Sequence, residues 1–236
     1  MKPTLVMFLA LAVAAPASAQ YGGGSHWYNA PADVPPITLR PFLDVSAEAF
    51  TAVKTFDAVF GNTSAPFWGG GLQVVAWRGR VYGELGASRL LKKKSELVGE
   101  RAFVADGVAY RLGIPLRSRI KPFEVVAGYR FNVSPRVIPY VGAGLGTYHY
   151  TEESDFADAS ENVDVKHRGY IFQTGAELRI QRWIGVAADA HYTRVPGILG
   201  LNGISQQFAA DPQTKSPARE KDLGGWAVRL KVVVGR

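Results

Sequence analysis

The feature that most constrains this chain is a two-residue period held through eight separate segments of about ten residues. In 41–51, Leu43, Val45, Ala47 and Ala49 share one face, with Asp44, Ser46 and Glu48 on the other. In 68–77, Leu72, Val74 and Ala76 share a face, and in 80–90 Val81, Leu85 and Ala87 oppose Tyr82, Glu84 and Ser88. Phe123, Val125, Ala127, Tyr129 and Phe131 oppose Glu124, Gly128 and Arg130 in 122–131. In 138–150, Val141, Ala143, Leu145 and Thr147 oppose Tyr140, three glycines and Tyr148. Tyr170, Phe172, Ala176, Leu178 and Ile180 oppose Gln173, Gly175, Glu177 and Arg179 in 168–180. Segment 183–193 sets Ile184, Val186, Ala188 and Tyr192 against Asp189 and His191. The last, 225–235, sets Trp226, Val228, Leu230, Val232 and Val234 against Arg229 and Lys231. Side chains alternate across a strand, so each segment reads as a strand with one apolar and one polar face.

A soluble sandwich or lipocalin-like barrel alternates too, with its apolar face inward. Other features turn the faces the other way. Lys2, the apolar run 5–15 and Ala17-Ser18-Ala19 make a secretory signal peptide over residues 1–19, too short to span a bilayer as a helix. The chain has no cysteine, which excludes a lipid anchor on Cys, disulfides and thiolate metal sites. The polar faces carry many small residues. Residues 20–40, with Gly22-Gly23-Gly24 and Pro31, Pro35 and Pro36, read as a flexible periplasmic leader. Strands of about ten residues tilted by ~45° match the apolar thickness of a membrane. The expectation is therefore a transmembrane antiparallel up-and-down β-barrel over 41–236. The net charge of +7 finds its counter-charge in anionic head groups of outer-membrane lipids rather than in nucleic acid.

A hairpin barrel with both ends on one side needs an even strand number. Segment 103–114 also looks extended, but its alternation breaks at the turn dipeptide Asp106-Gly107. Read as a hairpin inside one outer loop, 91–121, it leaves eight strands; if both arms span, the count is ten. With eight, the connections 52–67, 91–121, 151–167 and 194–224 fall on one side, and the short ones 78–79, 132–137 and 181–182 on the other. That topology puts Trp68, Tyr170, Phe172, Tyr192 and Trp226 near the outer strand ends. Tyr129, Phe131 and Trp183 fall near the inner ends, so two aromatic girdles appear.

The run Pro139-Tyr140-Val141-Gly142-Ala143-Gly144-Leu145-Gly146 resembles the strand opening of the small outer-membrane β-barrel (porin-like) superfamily. Ala127-Gly128-Tyr129-Arg130-Phe131 and Leu223-Gly224-Gly225-Trp226 resemble it as well. The resemblance implies an outer-membrane location in a Gram-negative-type envelope and passage through the barrel-assembly machinery. It brings no catalytic residue, because the superfamily is functionally mixed. Its members usually end on an aromatic residue, whereas this chain ends Val234-Gly235-Arg236.

The polar faces converge on one lumen, with acids Asp44, Glu48, Glu84, Glu124, Glu177 and Asp189, bases Arg130, Arg179, Arg229 and Lys231, and His191 among them. Eight strands leave room only for side chains, so these charges are expected to pair as a plug. Strand closure makes Asp44 and Glu48 the nearest candidates for Arg229 and Lys231. A hydrolase would need a base beside a hydroxyl nucleophile and a carboxylate. His149 has Thr147, Thr151 and Glu153 near it but no serine two residues away; it reads as a rim histidine, and no catalytic residue is assigned. The glycines at 142, 144 and 146 lack the spacing and following helix of a phosphate-binding turn, so no nucleotide is expected. The acids Glu152, Glu153, Asp155, Asp158, Glu161 and Asp164 do not match calcium-loop spacing, and no metal or cofactor is expected. The leading function class is a structural or surface-interaction barrel acting through its outer loops. A narrow solute channel is the alternative, and a lipid-modifying enzyme the third.

Overall fold

The computed structural model describes residues 37–105, 108–131, 133–154, 162–201 and 220–235. The signal segment, residues 20–36 of the leader, Asp106-Gly107, the acids at 155, 158 and 161, and 202–219 lie outside the described residues. In chain order the elements are β1 (Ile37–Phe50), α1 (Val53–Phe60), β2 (Ser64–Ala76), β3 (Val81–Leu90), β4 (Leu97–Ala105) and β5 (Val108–Arg130). β6 (Val137–Glu153), β7 (Val163–Arg179), β8 (Ile184–Val195) and β9 (Leu223–Val234) follow.

All strand pairings are antiparallel, and β1 pairs with β9, from Phe42↔Val233 to Phe50↔Gly225, which closes the sheet. β3 pairs with the inner part of β5, from Val81↔Tyr129 to Ala87↔Phe123. β4 pairs with the outer part, from Leu97↔Ser118 to Ala105↔Val108. β4 thus continues the line of β3 beyond the ring, after a detour in which Lys94 and Ser95 adopt positive φ. The ring has eight strands, and the ten-strand alternative is corrected: the extra hairpin is raised on β5, which runs for 23 residues.

β1 begins at Ile37, four residues inside the segment read as leader. The proline run hides this start. Pro41 is nonetheless tolerated, because the β9 ladder begins only at Phe42, past the residue that has no N–H to give.

The faces are inverted relative to a soluble barrel. Leu43 is 69% exposed, Leu145 58% and Val228 59%, whereas Lys231 and Arg130 are each 1% exposed. Outward apolar side chains and inward charges are the arrangement of a barrel built for an apolar surround. Trp68, Tyr170, Phe172 and Trp226 stand exposed toward the outer end, and Tyr192 packs on Trp226 with ring centroids 4.8 Å apart. Tyr129 meets Phe131 edge-on at 5.1 Å near the inner end, where Trp183 and Trp77 are exposed too. This is the architecture of a closed eight-stranded antiparallel β-barrel with an outward apolar band.

Inside, the glycines of β5 and β6 make room for aromatics. A Cβ on Gly128 or Gly142 would lie 2.5 or 2.3 Å from Tyr82, whose ring lies over both. The Gly-rich run on β6 is a packing surface.

Candidate functional site in the barrel lumen

The lumen is layered along its axis. At the inner end, Arg40 on β1 donates to both carboxylate oxygens of Glu177 on β7, at 2.9 and 2.6 Å, and to Gln73 Oε1 at 3.0 Å. Arg130 Nη2 donates to the same Glu177 at 2.6 Å. Arg179 has lumen parity but sits at the strand end, 42% exposed and 3.9 Å from Glu177, so its place is the inner rim rather than the buried network.

The middle layer joins six strands. Lys231 Nζ lies 2.9 Å from Glu84 Oε2 and 3.1 Å from Asp189 Oδ2. Arg229 lies 3.1 Å from both Glu84 and Asp189, and donates to Gln173 Oε1. Tyr140 donates to Asp189 at 2.7 Å, and Gln173 to the Tyr82 hydroxyl at 2.8 Å. The expected partners on β1 are only partly found. Asp44 stands opposite Lys231 in register, but approaches Arg229 at 3.7 Å. Glu48 stands opposite Ala227, one step too far toward the outer end. Arg229 keeps one partner along the sheet, Asp189 directly opposite it on β8, while both cations also cross the lumen to Glu84 on β3. In these two layers Arg40, Arg130, Arg229 and Lys231 balance Asp44, Glu84, Glu177 and Asp189. Charges buried this deeply persist only when paired and hydrogen-bonded.

Above that network is a chamber bordered by Asp44, Glu48, Glu124, Tyr148, His191 and Arg229. Its free space of about 40 Å³ holds roughly two or three waters. Tyr148 donates to Glu124 at 2.5 Å, and His191 Nε2 lies 3.7 Å from the same carboxylate.

The outer mouth is closed by an apolar cluster that the sequence reading did not foresee. Phe50, Phe67, Leu90, Tyr150 and Val195 point inward there, and Phe56 of α1 drops among them with Ile198 and Leu199. Phe56 is 1% exposed and stacks on Phe50 at 3.9 Å. α1 is held at both ends by distant residues. The Glu220 carboxylate accepts Thr55 N–H at 2.8 Å at its start. Arg111 Nε donates to the Ala58 carbonyl at 3.1 Å at its end. Both contacts match the sign of the helix dipole. Gly99 of β4 lets the helix lie close, since a Cβ there would meet the Val59 carbonyl at 2.2 Å. The spacing of Phe56 and Phe60, one helical turn apart, was the available signal for this element.

On the outer surface His149 Nε2 meets Asp164 Oδ1 at 2.6 Å, while Glu153 turns to Arg119 at 3.1 Å. The carboxylate beside His149 is therefore Asp164 rather than Glu153. Among the described residues there is no group of three or more His, Cys, Asp or Glu side chains arranged to hold a metal.

No protein-family model and no curated protein matches the sequence. Among solved structures the chain is similar to the neisserial surface protein A, with 10% identity and a TM-score of 0.47, over 85% of this chain and 97% of that one. It is similar to the outer membrane protein OprG from Pseudomonas aeruginosa, with 11% identity and a TM-score of 0.45, over 85% and 95%. The attachment invasion locus protein Ail of Yersinia pestis shows 10% identity and a TM-score of 0.42, over 85% and 99%. What this barrel does has to come from its own residues.

Proposed function

We propose that this barrel resides in the outer membrane with a plugged lumen and acts through what it raises on its outer side, namely α1, the β4–β5 hairpin and the outer connections. The observation that carries this reading is the double closure of the lumen: a charge-balanced network across the inner half, and the Phe56 cluster over the outer mouth. Eight strands enclose too little space for a wide aqueous path, and here that space is filled with paired side chains. The membrane location is supported by the inverted faces and the two aromatic girdles. The elements that remain free to meet a partner are those above the outer girdle.

The test is outer-membrane fractionation with gel migration before and after boiling, joined to protease access on whole cells. The reading expects partition with the outer membrane, a heat-dependent shift and cleavage in the outer elements. A freely soluble product without a shift would overturn it.

The narrow channel is kept as the second reading on one observation. The chamber collects Asp44, Glu48 and Glu124 against Arg229 and His191, a small wet space with an excess of carboxylates.

A further inference from the structure

We infer that the outer surface of β5, β6 and β7 carries a binding site for phosphate-bearing lipid head groups, formed by Lys121, Lys166 and Arg168 around Thr147; the inference rests on the membrane reading above.

The cross-strand register lays these residues out in rows. Val125, Leu145 and Tyr170 face one another across three strands and belong to the outward apolar band. One step outward, Phe123, Thr147 and Arg168 form the next row. The row after that is Lys121, His149 and Lys166. Only in the following row, Arg119, Thr151 and Asp164, does an acid enter. Lys121, Lys166 and Arg168 are all exposed. The surface therefore passes from the apolar band through Arg168 to the two lysines before an acid enters the rows.

The neighbouring acids are already engaged. Asp164 holds His149 at 2.6 Å, Glu153 holds Arg119 at 3.1 Å, and Asp222 holds Arg194 at 2.9 Å. Among the described residues no carboxylate lies within ion-pair distance of Lys121, Lys166 or Arg168. Lys121 and Lys166 stand in one row on either side of His149, with Arg168 one row inward, so three positive charges share this face without a carboxylate paired to them. The arrangement calls for an anion from outside the chain.

The position of the row says which anion. Arg168 lies one row, and the two lysines two rows, beyond the outer girdle aromatic Tyr170, on the side where a head group sits when acyl chains cover Leu145 and Val125. A phosphate there takes charge-assisted hydrogen bonds from Arg168 and the lysines, while Thr147 supplies a hydroxyl. The acyl chains of the same lipid lie on the apolar band below. A free phosphate gains nothing from that band, so the site belongs to a lipid.

The full chain is inserted into phosphatidylcholine vesicles carrying a trace of spin-labelled phosphatidic acid or spin-labelled phosphatidylcholine. The motionally restricted fraction of each label gives their relative association with the barrel. Heat-dependent gel migration is read first; a chain that does not insert contradicts the membrane reading instead of this one. Inserted protein is expected to favour phosphatidic acid, and Lys121→Gln/Lys166→Gln/Arg168→Gln to lose the preference by about fivefold per cation removed. Lys92→Gln/Lys93→Gln/Lys94→Gln, equal in charge loss but away from the row, is expected to keep it. Equal association of both lipids with the inserted protein would overturn the inference. So would a row variant that keeps the preference, or an equal loss in the two variants. Complete displacement by inorganic phosphate at constant ionic strength would assign the site to a free anion, and would overturn it as well.

Discussion

Arg40 and Glu177 form a two-pronged ion pair across the lumen, at 2.9 and 2.6 Å, although their strands are separated in the ring by two others. The pair ties opposite walls together at the inner end, and Arg130 shares the same carboxylate. Arg40→Ala leaves Glu177 with one close buried cation, and breaking a buried pair costs about 3–5 kcal/mol. The expected outcome is a fall of that order in unfolding free energy, read by urea titration of the vesicle-inserted barrel. Arg40→Met/Glu177→Leu, which removes both charges, should recover much of the loss. An unchanged midpoint in Arg40→Ala would show that the pair contributes nothing.

Arg229 carries a second prediction. Its removal leaves Glu84 and Asp189 to share the single ammonium of Lys231. Arg229→Ala is expected to destabilise by roughly 3–5 kcal/mol. Glu84→Gln in the same chain should restore part of this, and Glu48→Gln none of it, because Glu48 makes no contact with Arg229 in the network. Rescue by Glu48→Gln rather than Glu84→Gln would return the partner to β1 and contradict the cross-lumen assignment.

These two arginines show what was legible in the sequence. Strand parity puts Arg229, Lys231, Glu84 and Asp189 on the polar faces, and all four are buried, because a two-residue period fixes direction. It could not say which cation meets which acid, since the contacts mix neighbours in the sheet, such as Arg229 and Asp189, with pairs across the lumen, such as Lys231 and Glu84. Arg40 was missed because the prolines before and after it masked the start of β1. Arg179 was placed in the lumen by the same parity that succeeded elsewhere, but parity carries no information about depth, and it lies at the rim. The outer cap was lost for a different reason. Its helix runs for only eight residues, and it is held by Glu220 and Arg111, which are remote in sequence.

That cap gives the third prediction. Phe56→Ala removes the ring that fills the outer mouth, and large-to-small changes of a buried Phe cost about 3–5 kcal/mol. Because α1 is short, the loss is expected as local opening. Amide exchange across 53–60 should rise well above that of the neighbouring strands, with the barrel still heat-resistant on gels. Arg111→Ala should do the same more weakly, by freeing the end of the helix. Protection in 53–60 that is unchanged by Phe56→Ala would mean the helix is not held by this contact.

Topology gives the fourth. Cysteines placed at 94, within the detour between β3 and β4, or at 113 on the raised part of β5 should react with an impermeant maleimide on whole cells. Cysteines at 79 or 181, in the short turns, should react only after the outer membrane is opened. The opposite pattern would invert the barrel.

The central claim is that the lumen is closed, and planar-bilayer conductance tests it most directly. The account predicts that the wild-type chain is nearly silent, and that Phe56→Ala combined with Arg229→Ala leaks, because one opens the outer mouth and the other breaks the network beneath it. A large, steady conductance in the wild-type chain, altered by Arg229→Ala only in ion selectivity, would contradict the account and make these residues the lining of a pore.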